Sequence, residues 1–109
     1  MPQGFLRSFA KVATMAEALD VAHDLLAALE GVATVKSLLV EPYYKEEGWI
    51  EVTPTFSDFD LEAVKARLAA DWVEGGGDWI WNPEAHWNQG EGASFAVPNI
   101  VWALVESTD

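Results

Sequence analysis

The chain has no cysteine, few basic residues and no apolar run that approaches the length of a membrane span. Without cysteine it has no disulfide framework, no thiol nucleophile and none of the common cysteine-based zinc sites. The N-terminal stretch MPQGFLRSFAKV lacks the apolar core of a signal peptide, so a cytoplasmic protein is expected. The length of 109 residues and an apolar content of 50% predict a single domain over residues 1–109 with a real core.

Basic residues are scarce as well as unevenly placed. The formal net charge is −12, and residues 68–109 contain seven acidic side chains but no lysine or arginine. Such a surface repels nucleic-acid phosphates and anionic membranes, so neither is expected as a partner. It favours a basic protein partner, because opposite charge speeds association and selects the partner.

The segment TMAEALDVAHDLLAALEG predicts a first helix. Thr14 and Glu17 have the spacing of a capping box, and Gly31 suits the position just after a helix end. Apolar residues at steps of three and four predict a buried stripe. This stripe consists of Met15, Leu19, Ala22, Leu26 and Leu29.

A second helix is predicted over residues 57–77, SDFDLEAVKARLAADWVEGGG. Asp58 or Asp60 would cap its start, and the three glycines would end it. Its predicted stripe consists of Leu61, Val64, Leu68 and Trp72.

The remaining segments have the composition and alternation of strands. They are GFLRSFAKV, VATVKSLLVEPYY, GWIEVTPTF, DWIWN and NIVWALVES. The element order predicts an α+β fold, a single two-layer sandwich with two helices on one face of an antiparallel four- to five-stranded sheet. The order is ferredoxin-like, β-α-β-β-α-β, followed by a C-terminal hairpin strand. Pro54 suggests an edge strand or a bulge.

The segment WIWNPEAHWNQGEGASF, residues 79–95, gathers three of the six tryptophans. WIW is interpreted as strand, with Trp79 and Trp81 on one face, and residues 82–92 as a long loop. Trp87 is the best candidate for an exposed anchor in this segment, and the alternative is that it packs under the sheet as core. The candidate binding residues are Trp49, Trp81, Glu84, His86, Trp87 and Glu91.

Enzymatic and metal chemistry have little support in the sequence. His86 could act as a general acid or base, but no nucleophile or cofactor motif accompanies it. One histidine and the nearby Glu84 do not complete a metal site, so no metal and no cofactor are predicted. The protein is therefore more consistent with a binding function than with an enzyme.

The favoured hypothesis is a small acidic protein-binding module that occupies a basic site on a partner, as an inhibitor would. In size and charge the chain resembles the immunity proteins that neutralise bacterial toxins. The rival hypothesis is a small-molecule-binding protein or enzyme, a homodimer with a tryptophan-lined pocket and His86 as acid or base. Dimerisation through the open face of the sheet is a further expectation.

Overall fold

The computed structural model of the chain describes residues 3–70, 72–74, 84–88 and 94–108. These residues form strands and helices in the order β-α-β-β-α-β-β-β. The elements are β1 Gly4–Lys11, α1 Met15–Leu29, β2 Ala33–Pro42, β3 Trp49–Phe59, α2 Leu61–Leu68, β4 Val73–Glu74, β5 Glu84–Asn88 and β6 Ile100–Ser107. Neither helix is long and apolar enough to span a membrane, within the residues described.

The strands form one sheet in the spatial order β2-β3-β1-β6-β5-β4, and each neighbouring pair is antiparallel. Helix α1 contacts β2 and β3, and α2 contacts β6. The predicted α+β sandwich is therefore confirmed. Five strands have five or more residues, and β4 adds a short sixth strand of two residues within the described ranges.

Helix α1 begins and ends where the sequence predicts. The Thr14 hydroxyl oxygen accepts a hydrogen bond from the backbone N–H of Glu17 at 3.2 Å, and Gly31 has a φ of +87°. The predicted stripe is partly wrong, because Met15 and Leu19 are exposed. The helix face that packs on the sheet differs from the predicted stripe and includes small residues, which let the helix approach the sheet closely. Its buried residues are Ala18, Val21, Ala22, Leu25 and Leu29.

Helix α2 is much shorter than the predicted helix over 57–77. Its start is confirmed, since an Asp60 carboxylate oxygen accepts from the backbone N–H of Ala63 at 3.1 Å. Val64 and Leu68 are buried as predicted. The helix ends at Leu68, so the prediction that Trp72 lies on its stripe is wrong.

Tertiary contacts supply partners for the carbonyl groups at the end of α2. The Trp72 indole N–H donates to the carbonyl oxygens of Lys65 and Ala69, at 3.0 and 3.1 Å. The backbone N–H of Ala96 donates to the carbonyl of Leu68 at 2.7 Å. Because these bonds satisfy carbonyls that the next helical turn would otherwise use, the helix can stop without a glycine cap.

The core lies between the helices and one face of the sheet. Alternate residues of the central strands point into it and contact buried residues of both helices. These strand residues are Leu6, Ala10, Val52, Phe56, Ala103 and Val105. The predicted alternation of β3 is confirmed. Pro54 is also buried, but β3 has a neighbour on each side, so the predicted edge position is wrong.

The predicted loop over residues 82–92 is wrong for residues 84–88. These residues form β5, which pairs with β6 on one side and β4 on the other. His86 lies opposite Leu104, and Trp87 lies opposite Ala103. The predicted strand at 78–82, with Trp79 and Trp81, lies outside the described residues.

Candidate functional site

Aromatic side chains from three strands and one hairpin meet on the sheet face opposite the helices. Phe9 lies at the centre, with its ring centroid 4.4 Å from that of Tyr43, 5.7 Å from Trp49 and 5.4 Å from Trp102. Tyr43 also stacks on Trp49, with an interplanar angle of 22°. Rings at these separations attract each other in addition to burying apolar area. We call Phe9, Tyr43, Trp49 and Trp102 the aromatic patch.

Strand register explains how the patch forms. Phe9 is paired with Trp102 across β1 and β6, and directly opposed residues share a face of the sheet. Trp49 begins β3 at the same end of the sheet, paired with Lys11. Phe9 is only 5% exposed, whereas Tyr43, Trp49 and Trp102 are partly exposed. These three outer rings therefore present the patch to solvent.

A charged network borders the patch. The Arg7 Nε donates to a Glu51 carboxylate oxygen at 3.3 Å, and the Thr53 hydroxyl donates to the same oxygen at 2.8 Å. The Arg7 guanidinium carbon lies 5.1 Å from the Phe9 ring centroid, within the range of a cation–π contact. The arginine charge is thus offset by Glu51, and the network orients Arg7 against the patch.

The β2–β3 hairpin continues the patch beyond the sheet. We call residues 43–49 the hairpin tip. The backbone N–H of Tyr43 donates to the Trp49 carbonyl at 2.9 Å, and the Trp49 N–H donates to the Glu46 carbonyl at 3.3 Å. Gly48 adopts a φ of +83°, which a side chain disfavours. These features hold Tyr43 and Trp49 together at the base of the tip.

The outer part of the hairpin tip is aromatic and acidic. Tyr44 is 86% exposed, with the Lys45 ammonium nitrogen 5.6 Å from its ring centroid. Glu46 and Glu47 are exposed beside it, and Glu41 on β2 is exposed opposite Glu51. The aromatic patch is therefore bordered by carboxylates on the side of the hairpin.

The structure separates the residues that the sequence grouped as candidates. Trp49 lies in the aromatic patch. His86 is partly exposed on the same sheet face, opposite Leu104 on β6. Glu84 is the first residue of β5 and pairs with Glu106. Trp81 and Glu91 lie outside the described residues, so their predicted roles stay predictions.

Of the two placements that the sequence leaves open for Trp87, exposed anchor or core residue, the structure shows the core residue. Its side chain is 1% exposed and faces the helices, with its ring centroid 4.7 Å from that of Phe95. Because side chains alternate along β5, His86 and Trp87 point to opposite faces of the sheet. Trp87 is a core residue, and the exposed aromatic surface is formed by residues from other parts of the sequence.

No family model, curated protein or solved structure matches this chain. The functional assignment therefore depends on the geometry of its own side chains. The described residues contain no group of three or more histidine, aspartate or glutamate side chains arranged to hold a metal ion. An open groove of about 640 Å³ lies at the other end of the fold, between residues 31–34 and 58–63. None of the predicted site residues lines it.

Sequence reasoning missed Phe9, Tyr43, Tyr44 and Trp102. Trp102 and the aromatic residues of β1 fall on predicted strands. The composition of its strand favours Trp102 as a core residue, with the open face as the alternative, but no sequence signal says which strands become neighbours. One usable signal was present in β3, where Trp49, Glu51 and Thr53 alternate with Ile50 and Val52. That alternation already placed Trp49 and Glu51 on the face away from the core.

The Arg7–Glu51 pair should contribute modestly to stability. A double-mutant cycle with Arg7→Met and Glu51→Gln is expected to give a coupling of about 0.5–1 kcal/mol, because the arginine side chain is 43% exposed. The measurement is urea unfolding of the four proteins. The Lys65–Glu62 pair, with the same separation of 3.3 Å but a glutamate side chain that is 76% exposed, should give a smaller coupling. Equal couplings for the two pairs would contradict the expectation that burial of the Glu51 carboxylate strengthens its ion pair.

Proposed function

We propose that this protein is a protein-binding module that binds a basic protein surface through the aromatic patch and the hairpin tip. One observation carries the proposal. The aromatic patch lies on the helix-free face of the sheet and continues into a tip with an exposed tyrosine and exposed carboxylates. Tryptophan and tyrosine are enriched at the centres of protein interfaces, and a charged rim selects the partner.

Charge supports a basic partner. The chain has a net charge of −12, and Glu41, Glu46 and Glu47 lie on the hairpin side of the patch. A basic partner would be steered towards this end of the sheet and then held by the aromatic rings. The same charge opposes binding to nucleic acid.

The finer form of the proposal is an inhibitor of the immunity type. An acidic surface with aromatic anchors suits a basic substrate cleft, because its carboxylates would take the place of phosphate groups. The resemblance to immunity proteins is one of size and charge. A cytoplasmic location accompanies this proposal and stays a prediction.

A ferredoxin-like arrangement of the sheet is part of the same proposal. It is supported by the position of β1 between β3 and β6, and by the hairpin that joins β2 to β3. In this arrangement β4 and β5 are an addition inserted between α2 and the last strand. The addition widens the helix-free face and brings His86 onto it.

The proposal is tested by capture from extracts of the source organism at low and at high salt. The expected result is retention of a basic protein at low salt and weaker retention at high salt, because salt screens exposed charges. The captured protein is then purified and its affinity for the chain is measured by calorimetry. Retention of no protein at low salt, or of an acidic protein only, would overturn the proposal.

Variants locate the binding surface. Tyr44→Ala is expected to weaken the affinity about tenfold or more, because truncating an interface tyrosine commonly costs over 1 kcal/mol. Tyr44 is 86% exposed, so this change should leave the fold intact. The matched control is Val73→Ala, which truncates an exposed apolar side chain on β4, at the edge of the sheet away from the β2–β3 hairpin. Equal losses of affinity in the two variants would mean that the partner does not bind at the hairpin tip.

A further inference from the structure

Exposed apolar side chains concentrate at one edge of the molecule. Six large apolar residues are exposed within the described ranges, and four of them belong to α1 or β2. These four are Met15 at 40%, Leu19 at 54%, Leu38 at 38% and Leu39 at 41%. Leu38 is paired with Pro54 and lies on the helix side of the sheet, whereas Leu39 is paired with Thr53 and lies on the open face. Both faces of this edge therefore carry exposed apolar side chains, which are typical of an interaction site.

Strand β2 is the outermost strand of the sheet on this side. It is ten residues long, and in the described part of the chain only β3 pairs with it. Natural edge strands are commonly protected by charges, prolines or bulges. In β2 these devices lie at the two ends of the strand. Register shifts fall between Thr34 and Ser37, Pro42 is the last residue, and the charges Lys36 and Glu41 flank an uncharged stretch over residues 37–40. Its outer backbone groups are therefore available to another strand.

Helix α1 extends the apolar edge above β2. A groove lined by His23, Leu26, Ala33 and Val35 shows which side of α1 borders this strand. Leu19 lies two turns before Leu26 on the same side of the helix. Strands β1 and β2 are both antiparallel to β3, so the connecting α1 runs opposite to β2. The start of α1, with Met15 and Leu19, therefore lies above the later part of β2.

We propose that two copies of this chain pair through β2, antiparallel, to form one continuous sheet with a two-fold axis at Leu39. Directly opposed residues in such a sheet must share a face, so the axis passes through a residue. With the axis at Leu39, Leu38 lies opposite Val40 of the second copy and Ser37 lies opposite its Glu41. Each Glu41 carboxylate then faces a hydroxyl donor.

The neighbouring register is less favourable. With the axis at Leu38, Glu41 would lie opposite Val35 of the second copy, and Lys36 would lie opposite Val40. Glu41 would then face an apolar side chain and lose water without gaining a partner, whereas Lys36 faces an apolar residue in both registers, Val40 here and Pro42 with the axis at Leu39. The local chemistry therefore selects the axis at Leu39.

A second copy suits this edge better than a basic partner does. Two chains with a net charge of −12 repel each other over most of their surfaces. At the β2 edge the charges Lys36 and Glu41 cancel, and the exposed side chains between them are apolar. In the pair, the apolar sides of the two α1 helices approach across the same axis. The proposal is independent of the proposed function, since the aromatic patch stays on the open face.

Cysteine scanning tests both the interface and its register, because the chain has no native cysteine. Opposed residues on antiparallel strands have Cα atoms about 4.5–5.5 Å apart, within the range of a disulfide. Under mild oxidation, Leu39→Cys is expected to cross-link to dimer almost completely. Leu38→Cys should cross-link at least tenfold more slowly, because the Cα atoms of residue 38 in the two copies would be about 8 Å apart. Tyr44→Cys, on the hairpin tip, should behave like Leu38→Cys.

Sedimentation of the unmodified chain at about 100 μM is expected to give the mass of a dimer, and the mass of a monomer would overturn the proposal. Faster cross-linking of Leu38→Cys than of Leu39→Cys would overturn the register. Faster cross-linking of Tyr44→Cys would assign the contact to the hairpin and overturn the β2 interface.

A charge variant gives a second, independent readout. Leu39→Lys should weaken dimerisation at least tenfold while the circular dichroism and unfolding midpoint of the monomer stay unchanged, because Leu39 is 41% exposed. The control is Val73→Lys, which places the same charge at an exposed position on β4, at the opposite edge of the sheet. A Leu39→Lys chain that still sediments as a dimer would contradict the proposed interface.

Discussion

Replacing Trp87 with alanine is expected to lower the free energy of unfolding by about 3–5 kcal/mol. The side chain is 1% exposed and is among the largest fully buried side chains of the described residues. It packs against Phe95, which also contacts Trp72 at a centroid distance of 6.2 Å. Alanine would leave a cavity under β5 that the surrounding strand cannot fill. Urea unfolding followed by far-ultraviolet circular dichroism measures the loss.

His86→Ala is the matched control for this prediction. His86 is the adjacent residue of the same strand, but its side chain lies on the open face and is partly exposed. Its replacement should change the free energy of unfolding by less than about 0.5 kcal/mol. Equal losses for the two variants would mean that β5 does not alternate between core and solvent as described.

Gly4→Ala is expected to lower the free energy of unfolding by about 2 kcal/mol or more, through overpacking. This sign is unusual, because alanine normally stabilises a strand relative to glycine. A Cβ atom at Gly4 would clash with the backbone carbonyl oxygen of Glu106 and would lie 2.6 Å from the Phe59 ring. The carbonyl belongs to the paired strand β6, so it can move only if β1 and β6 separate. Thermal and urea unfolding report the effect.

Gly48 provides the control for Gly4. A Cβ atom there would meet nothing within 4 Å, and the cost of alanine comes only from the φ of +83°. Gly48→Ala should cost about 1 kcal/mol, and Gly48→Asn should cost less, because asparagine tolerates this conformation. At Gly4, asparagine should be no better than alanine. An asparagine that restores stability at Gly4 would show that backbone conformation, rather than the clash with Glu106, sets the cost.

The features predicted correctly depend on residues close together in the sequence. The start of α1 follows from Thr14 and Glu17, which interact within one turn, and its end follows from Gly31. The alternation of β3 follows from a period of two along a single strand. These signals need no knowledge of the rest of the fold.

The failed predictions depend on contacts between distant segments. The apolar spacing predicts that the second helix continues to residue 77, but Trp72 and Ala96 supply hydrogen-bond partners at the end of α2 instead. The sequence predicts a loop that includes residues 84–88, because Pro83 is expected to end the preceding strand and Gly90 and Gly92 to allow the turn back. Pairing with β6 outweighs that composition, because as a strand beside β6 this segment makes backbone hydrogen bonds to β6 and buries the Trp87 side chain.

The candidate site was predicted only in part for the same reason. Trp49 was included on the basis of its strand face, whereas Phe9 and Trp102 were not, although they lie opposite each other in the sheet. They lie 93 positions apart in the chain. Their proximity depends on the pairing of β1 with β6, which no local pattern encodes.

The sequence by itself determined the acidic charge, the lack of thiol chemistry, the α1 boundaries and the two-layer α+β class. Composition and short-range periodicity are sufficient for these properties. Only the tertiary structure decided which of the described tryptophans are core and which form the aromatic patch, and where the edge strand lies. Those outcomes follow from strand order and register, because each strand has two faces and the neighbouring elements decide which face is buried.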